Sequence, residues 1–449
     1  MPALTKRGYA IPKTELLDSI IESIKKELTV SPFVPKGYKF GTTTFKLYQE
    51  SEKNIYVPKS YGIKKFGHPS TIKIIGDDIN CKFTGTLRPE QITPVDKLIT
   101  ACLDPNAMGG ILNICCGGGK TTMALYTLSV LAKKTLIIVH KDFLLEQWKE
   151  RIKSFLPDAS IGLIKAKVID IDNKDVVLGS LQSLSMKEYD TNIFSSFGTV
   201  IIDEVHHTSA EVFSKALAKV SFVYTIGLSA TIVRKDGLSK VFKWYLGDVV
   251  FQSEKRKDNV IVKCIDFDDP DNEKYQEFPT LCTGKPNVAK MINNVCDNTL
   301  RNKLIIDEAI QAASHNRKIL ILSDRRMHIL ELEKQIKLSG IEVGIYMGGM
   351  KSSILANCST KQIIIATFAI ASEGYDQPGL DTIILASPKS DVVQAVGRIL
   401  RDKECDRKNV PLIIDIVDSH ENFQRQAQKR QHYYKQCNWI PNIQKSLFR

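Results

Sequence analysis

No stretch constrains this chain more than Ile114–Thr122, which reads Ile-Cys-Cys-Gly-Gly-Gly-Lys-Thr-Thr. Three successive glycines, Gly117, Gly118 and Gly119, admit backbone conformations that a Cβ forbids. Their N–H groups can turn inward and wrap a phosphate chain. Lys120 would bring charge to the β- and γ-oxygens, and Thr121, with Thr122 beside it, would offer a hydroxyl to Mg²⁺. A helix from Lys120 onward aims further N–H groups at the same anion. The full eight-residue pattern has Gly where this chain has Ile114. The match is therefore partial, and a glycine-rich turn before an ordinary helix is the alternative.

The surroundings extend the pattern. Upstream, Leu87-Arg88-Pro89-Glu90-Gln91 presents a glutamine that can both donate to and accept from an adenine edge. Downstream, Thr121–Ala132 is amphipathic, and Thr135–His140 is a continuous apolar run suited to a buried parallel strand. Asp142 is placed to cap a helix with Phe143, Leu144, Trp148, Ile152 and Phe155 along one face. Asp175–Ser180, Thr199–Asp203 and Tyr224–Ser229 repeat the apolar strand with a polar end. Strands alternating with helices imply a doubly wound parallel sheet whose ligands sit at the carboxyl ends of its strands.

Two of those ends carry chemistry. Val200-Ile201-Ile202 runs into Asp203-Glu204-Val205-His206. Asp203 is expected as the second protein contact of a Mg²⁺, and Glu204 as the group that orients and deprotonates the attacking water. At Ser229-Ala230-Thr231, the hydroxyls of Ser229 and Thr231 can bond both to the Asp-Glu loop and to a second lobe, coupling nucleotide state to lobe position.

That second lobe follows a charged, proline-containing stretch. Ile319–Leu322, Ile363–Thr367, Ile383–Ala386 and Leu412–Ile416 are apolar strand candidates, with Asp324 placed to cap a helix. It has no second phosphate loop. In Ser390–Arg401, Val392, Ala395, Val396 and Ile399 make a helical apolar face. Gln394, Arg398 and Arg401 share the other face and point out of the lobe. They suit a γ-phosphate contact, although a solvated helix face reads the same way. From Asn422 on, Arg425, Lys429, Arg430 and Lys435 alternate with Phe423, Tyr433, Tyr434 and Trp439. Packing of the aromatics onto the lobe is expected over backbone tracking.

The first 80 residues carry no nucleotide signal. A helical rhythm over Glu15–Leu28 precedes strand-like pieces at Phe45–Tyr48, Asn54–Val57 and Thr71–Ile75. Lys59, Lys64, Lys65, Tyr56 and Tyr61 could touch a nucleic-acid backbone, or form a solvated face of a small accessory domain.

Composition narrows the partners. A length of 449 residues suits about three domains. The net charge of +12 points to a polyanion, nucleic acid before membrane. Ten scattered cysteines lack zinc spacing and read as reduced thiols. No apolar run reaches membrane-span length and no signal peptide opens the chain, so a soluble intracellular protein is expected.

Gln91, Gly-Gly-Gly-Lys-Thr, Asp203-Glu204-Val205-His206, Ser229-Ala230-Thr231 and Gln394-Ala395-Val396-Gly397-Arg398-Ile399-Leu400-Arg401 together resemble the superfamily 2 helicases of the DExH type. The narrower likeness is to two groups. One is the helicase subunit of the eukaryotic transcription and repair factor; the other is the poxvirus-type transcript-release helicase of large DNA viruses. Ile138–Trp148, Gly179–Leu184 and Asn54–Gly62 carry it. Val233-Arg234-Lys235-Asp236 departs from the repair factor's Arg-Glu-Asp element at Lys235.

The resemblance implies an α/β fold of two tandem RecA-like parallel-sheet lobes with a small N-terminal α+β module. The expected division is residues 1–80 for the module, 81–250 for the ATP-binding lobe, 251–286 for the inter-lobe connection and 287–449 for the second lobe. It implies an enzyme that couples hydrolysis of ATP, with Mg²⁺, to movement on or unwinding of DNA, or of RNA–DNA, in transcription. Asp376 would sit near the ribose or the water, and Lys141, Ser180, Gln182 and Thr367 would face the strand. Partners would be nucleic acid, DNA before RNA alone, with RNA polymerase or other transcription factors. The location would be a cytoplasmic viral factory or the virion. The motor of a nuclease or repair system and an ATP-gated nucleic-acid clamp are the rival readings.

Overall fold

The structure is a computed structural model. It describes residues 1–33, 44–115, 117–190, 192–205, 209–220, 222–230, 237–254, 258–348, 350, 358, 360–373, 377, 379–400 and 407–445. The chain is α/β and divides into two compact units, Met1–Glu254 and Lys255–Arg449.

The first unit is built on an eight-stranded sheet. In spatial order its strands are Val168–Asp170, Ile161–Lys165, Val176–Ser180, Thr135–Val139, Thr199–Ile202, Tyr224–Ser229, Gly109–Asn113 and Val249–Gln252. All pairs are parallel except that of Val168–Asp170 with Ile161–Lys165. The central strands are buried along their whole length, as their unbroken apolar runs require of a sheet covered on both faces. One face packs on a core of Leu98, Leu125, Leu128, Trp148 and Ile152.

The other face shares a single core with residues 1–80: Leu4, Tyr9, Ile24 and Ile55 belong to the same cluster as Ile138, Val200 and Phe213. That part carries its own five-stranded sheet, in the order Gln49–Glu50, Asn54–Val57, Gly8–Pro12, Ala3–Thr5 and Thr71–Ile72. The expected helix appears as Asp18–Glu27. The basic and aromatic residues expected on a solvated or nucleic-acid-facing surface are divided. Lys59 is 4% exposed and Tyr61 is equally buried, whereas Lys64 is exposed and pairs with Asp248 at 2.6 Å. From the helix Lys59–Phe66, the Lys59 ammonium donates to the carbonyls of Met108 (2.7 Å) and Val223 (2.8 Å). Those carbonyls precede two strands of the large sheet, so Lys59 pins the small sheet to the large one.

The second unit holds a seven-stranded, wholly parallel sheet. Its order is Val343–Tyr346, Ile363–Thr367, Ile319–Ser323, Thr382–Leu385, Leu412–Asp418, Ile261–Phe267 and Pro441–Lys445. Residues 251–286 are therefore more than a connection. Val249–Gln252 ends the first sheet, and Ile261–Phe267 lies inside the second. Of the charges that made this stretch look like a linker, Asp266 lies within the strand among the buried Val262, Cys264, Ile265 and Phe267, and residues 268–271 follow it.

The two expected aspartate caps are not caps. Asp142 lies in the first turn of the helix Asp142–Phe155 and pairs with Lys165. Asp324 binds Lys389 at 2.8 Å, while the Ser323 hydroxyl accepts the Arg325 N–H ahead of the helix Arg326–Leu338. The basic helix Glu421–Gln436 docks as expected. Phe423, Tyr434 and Arg430 are buried, and Arg425, Lys429 and Lys435 face outward.

Candidate active site

The phosphate loop leaves the carboxyl end of Gly109–Asn113 and enters the helix Lys120–Leu131. Gly117 and Gly119 have φ of +77° and +82°, left-handed values that account for glycine at both places. Gly118 is required by contact, because a Cβ there would lie 2.4 Å from Cγ2 of Ile114. Ile114 is itself buried, so the departure from glycine at that position is a core side chain seated beneath the loop. The loop's entry is held by the Ile114 N–H donating to the Ser229 carbonyl (2.9 Å) and the Cys115 N–H donating to the Ser253 hydroxyl (3.0 Å).

Gln91 is buried in the helix Pro89–Leu103. Its side-chain carbonyl accepts from the Arg88 N–H at 2.9 Å, and its amide donates to the Gly118 carbonyl at 3.3 Å. It thus ties the helix to the loop. One N–H and one lone pair of the amide lie beyond these two bonds.

Asp203 and Glu204 follow the strand Thr199–Ile202, in the same sheet. Lys120 donates from Nζ to Glu204 Oε1 at 2.7 Å, joining phosphate loop and acidic pair. The backbone of Glu204 has φ of +48°, a left-handed conformation that costs a non-glycine residue about 1–3 kcal/mol. Both oxygens of the Asp203 carboxylate are engaged. Oδ1 accepts the Glu204 N–H at 2.9 Å, and Oδ2 accepts the indole N–H of Trp148 at 2.9 Å. Burial, followed by the neighbouring Glu204 charge, raises the Asp203 pKa to about 6, against the pull of Lys120 and these two donors. Asp203 and Glu204 thus set two carboxylates close to Lys120, an arrangement whose anionic oxygens suit an incoming cation.

Among the described residues no group of three or more His, Cys, Asp or Glu could hold a metal unaided. One carboxylate and one hydroxyl, Asp203 and Thr121, nevertheless fit Mg²⁺, which takes one or two protein ligands and completes its shell with phosphates and water. Thr121 and Thr122 stand half-buried in the first turn of the loop helix.

The other expected residues also gather at carboxyl ends of strands. Lys141 follows Thr135–Val139, Ser180 ends Val176–Ser180 with an exposed Gln182 beyond it, and Ser229 ends Tyr224–Ser229. Burial lowers the Lys141 pKa. In the second unit Thr367 closes Ile363–Thr367. There the expected helix is short, Val393–Val396, and Arg398 is only 8% exposed, so it does not project from a solvated face as Gln394, half-exposed, can. Residues 397–400 follow the helix as turns and are buried. Thr231, Asp376 and Arg401 lie outside the described residues, as do His206 and residues 233–236.

Sequence reasoning counted Trp148 only as an apolar side chain. The signal it offered was its indole N–H, which needs a partner once buried.

Residues 84–234 match the family model described as type III restriction enzyme, res subunit. "Putative ATP-dependent RNA helicase L396" of Acanthamoeba polyphaga mimivirus is 37% identical over 98% of this chain and 86% of its own length. "Putative helicase 161L" of Invertebrate iridescent virus 6 is 28% identical over 85% of this chain and 87% of its own. The crystal structure of T4 UvsW aligns over 99% of both chains at 17% identity and a TM-score of 0.38, a superposition too loose to bear on the fold described above.

Proposed function

The chain belongs to the superfamily 2 helicases and is an ATP-dependent nucleic-acid helicase, and from that premise we propose a motor that acts on DNA in transcription, releasing transcripts or opening duplex. The observation that carries the catalytic reading is the meeting of Lys120 and Glu204 at 2.7 Å beside the buried Asp203. An entering γ-phosphate competes with Glu204 for Lys120. As Lys120 turns to the phosphate, the Glu204 carboxylate is released to orient a water and take its proton. Mg²⁺ held by Thr121 and Asp203 would neutralise the β- and γ-oxygens. Gly117, Gly118, Gly119 and the first N–H groups of the helix at Lys120 bind the remaining phosphate oxygens. Gln394, Arg398 and Arg401 belong to the other unit, and Arg398 supplies transition-state charge, a contribution of about 10³–10⁵ in rate where such arginines act.

Lys141, Ser180, Gln182 and Thr367 are proposed to hold the strand, largely through its phosphates. Binding should then be insensitive to sequence and weaken steeply with salt. RNA polymerase or another transcription factor would be the protein partner. An RNA track is the second reading, favoured by the name of the mimivirus relative.

The test is ATP hydrolysis with single- and double-stranded DNA, RNA and an RNA–DNA hybrid. DNA should stimulate most, and Lys120→Ala should lower turnover by roughly 100-fold or more. Turnover indifferent to every nucleic acid, or surviving Lys120→Ala, overturns the catalytic reading. Stronger stimulation by RNA overturns only the choice of track.

A further inference from the structure

We infer that Trp148 is a positioning residue of the ATPase centre: its indole N–H holds the Asp203 carboxylate in the orientation that presents it to the nucleotide-bound cation. This rests on the proposal that Asp203 is a Mg²⁺ ligand. A carboxylate offers about four acceptor positions over its two oxygens. Here one on Oδ2 is taken by Trp148 and one on Oδ1 by the Glu204 N–H, each at 2.9 Å. The two donors approach different oxygens, so the group cannot turn about its Cβ–Cγ bond without breaking one of them. One position on each oxygen remains for other contacts.

The two donors are unequal in firmness. The Glu204 amide belongs to a backbone in a left-handed conformation, beyond the end of the strand Thr199–Ile202. Trp148 stands in the middle of the fourteen-residue helix Asp142–Phe155, 2% exposed, among Leu144, Leu145, Ile152 and Val139 of the core. The helix follows Thr135–Val139, which is the sheet neighbour of Thr199–Ile202, the strand that delivers Asp203. The indole is therefore a fixed donor mounted on the scaffold, and the carboxylate takes its orientation from it. Outer-shell donors of this kind are worth about 10–100-fold in metal affinity where they have been removed.

Two variants separate the N–H from the packing. Trp148→Phe keeps an apolar ring, and β-(3-benzothienyl)alanine at position 148 keeps the bicyclic shape while replacing N–H by sulfur. Binding of a fluorescent, non-hydrolysable ATP analogue is titrated with MgCl₂ for both, beside Asp203→Ala and the unaltered protein. The expected result is a half-saturating Mg²⁺ concentration raised about tenfold in both position-148 variants, with nucleotide affinity in EDTA unchanged. If the phenylalanine variant fails to fold, the benzothienyl variant alone decides between the outcomes. An unmoved Mg²⁺ requirement at position 148, with Asp203→Ala shifting it, overturns the role of Trp148 alone. Equal loss of binding with and without Mg²⁺ also overturns it, by reducing Trp148 to packing. If Asp203→Ala leaves the Mg²⁺ requirement in place, the underlying assignment of Asp203 falls first.

Discussion

The two units treat buried charge in opposite ways. In the second, Arg301 and Asp418 are both 0% exposed and meet through two parallel bonds of 2.7 and 2.9 Å, with the remaining guanidinium nitrogen of Arg301 on the Ala386 carbonyl. Arg430 grips Asp415 in the same bidentate way, and Tyr434 adds a further donor to that carboxylate. Each of these two arginines has its anion, and every nitrogen of the two guanidinium groups is engaged. In the first unit, Lys120 faces two carboxylates, and the buried Lys59 has only carbonyls. Removing one partner of a closed buried pair leaves an uncompensated charge in the core. The second unit's carboxylates look inward to such partners, and the first unit's suit an incoming cation.

The contrast can be broken by measurement. Its largest expected effect is at Arg301. Arg301→Met strands Asp418 in the core and should destabilise the second unit by about 3–5 kcal/mol. Amide hydrogen exchange over Leu412–Asp418 reads this locally, and Arg301→Met with Asp418→Leu should recover much of the loss. A mild single variant would mean that the pair is not closed.

Acid and alkaline titrations come next. Burial pushes the Lys59 pKa down to about 7. Between there and the free-lysine value near 10.4 the unfolded chain carries a proton that the native chain lacks, so stability rises with pH across that window. The slope is at most about 1.4 kcal/mol per pH unit, and Lys59→Met should remove it. In the second unit His328 is buried between the Ser323 hydroxyl and Asn302, and its pKa is pushed down to about 3, by burial first and the Arg301 charge second. Here the unfolded chain gains the extra proton below about pH 6.5, so stability falls as pH drops toward 3. His328→Gln should flatten that limb. Exchange at Gly109–Asn113 and at Ile319–Ser323 assigns each limb to its unit.

The smallest effect sharpens the comparison most. Lys120→Met should cost less than Arg301→Met, since the Lys120 and Glu204 side chains keep 11% and 19% exposure where Arg301 and Asp418 have none. A loss as large as that of Arg301→Met would make Lys120 a structural lysine.

Much of the first unit is legible in its amino-acid sequence. Unbroken runs such as Thr135–Val139 and Thr199–Ile202 suit strands buried on both faces, and the glycines of 117–119 announce their own backbone. The polar ends of those strands therefore placed Asp203, Glu204, Ser180 and Ser229 on one edge of the sheet. What escaped depended on long-range partners. Lys59 looks like any surface lysine until strands from two other regions bring carbonyls to it. Arg398 looks outward on an ideal helix, yet the helix stops at Val396 and the side chain is 8% exposed. Ile261–Phe267 was hidden by the charges of Lys263 and Asp266 within it and of residues 268–271 after it. Trp148 obeyed the apolar periodicity of its helix, and periodicity says nothing about where an indole N–H ends.

The position of Ile261–Phe267 also bears on how the chain is made. It is the first strand of its sheet to be translated, yet its neighbours on either side are Leu412–Asp418 and Pro441–Lys445, the last two. At roughly 5–20 residues per second, a ribosome leaves both edges of that strand unpaired for on the order of 10–30 s. The first unit is complete by then. The second must wait, and slowed elongation or chaperone depletion should harm it selectively.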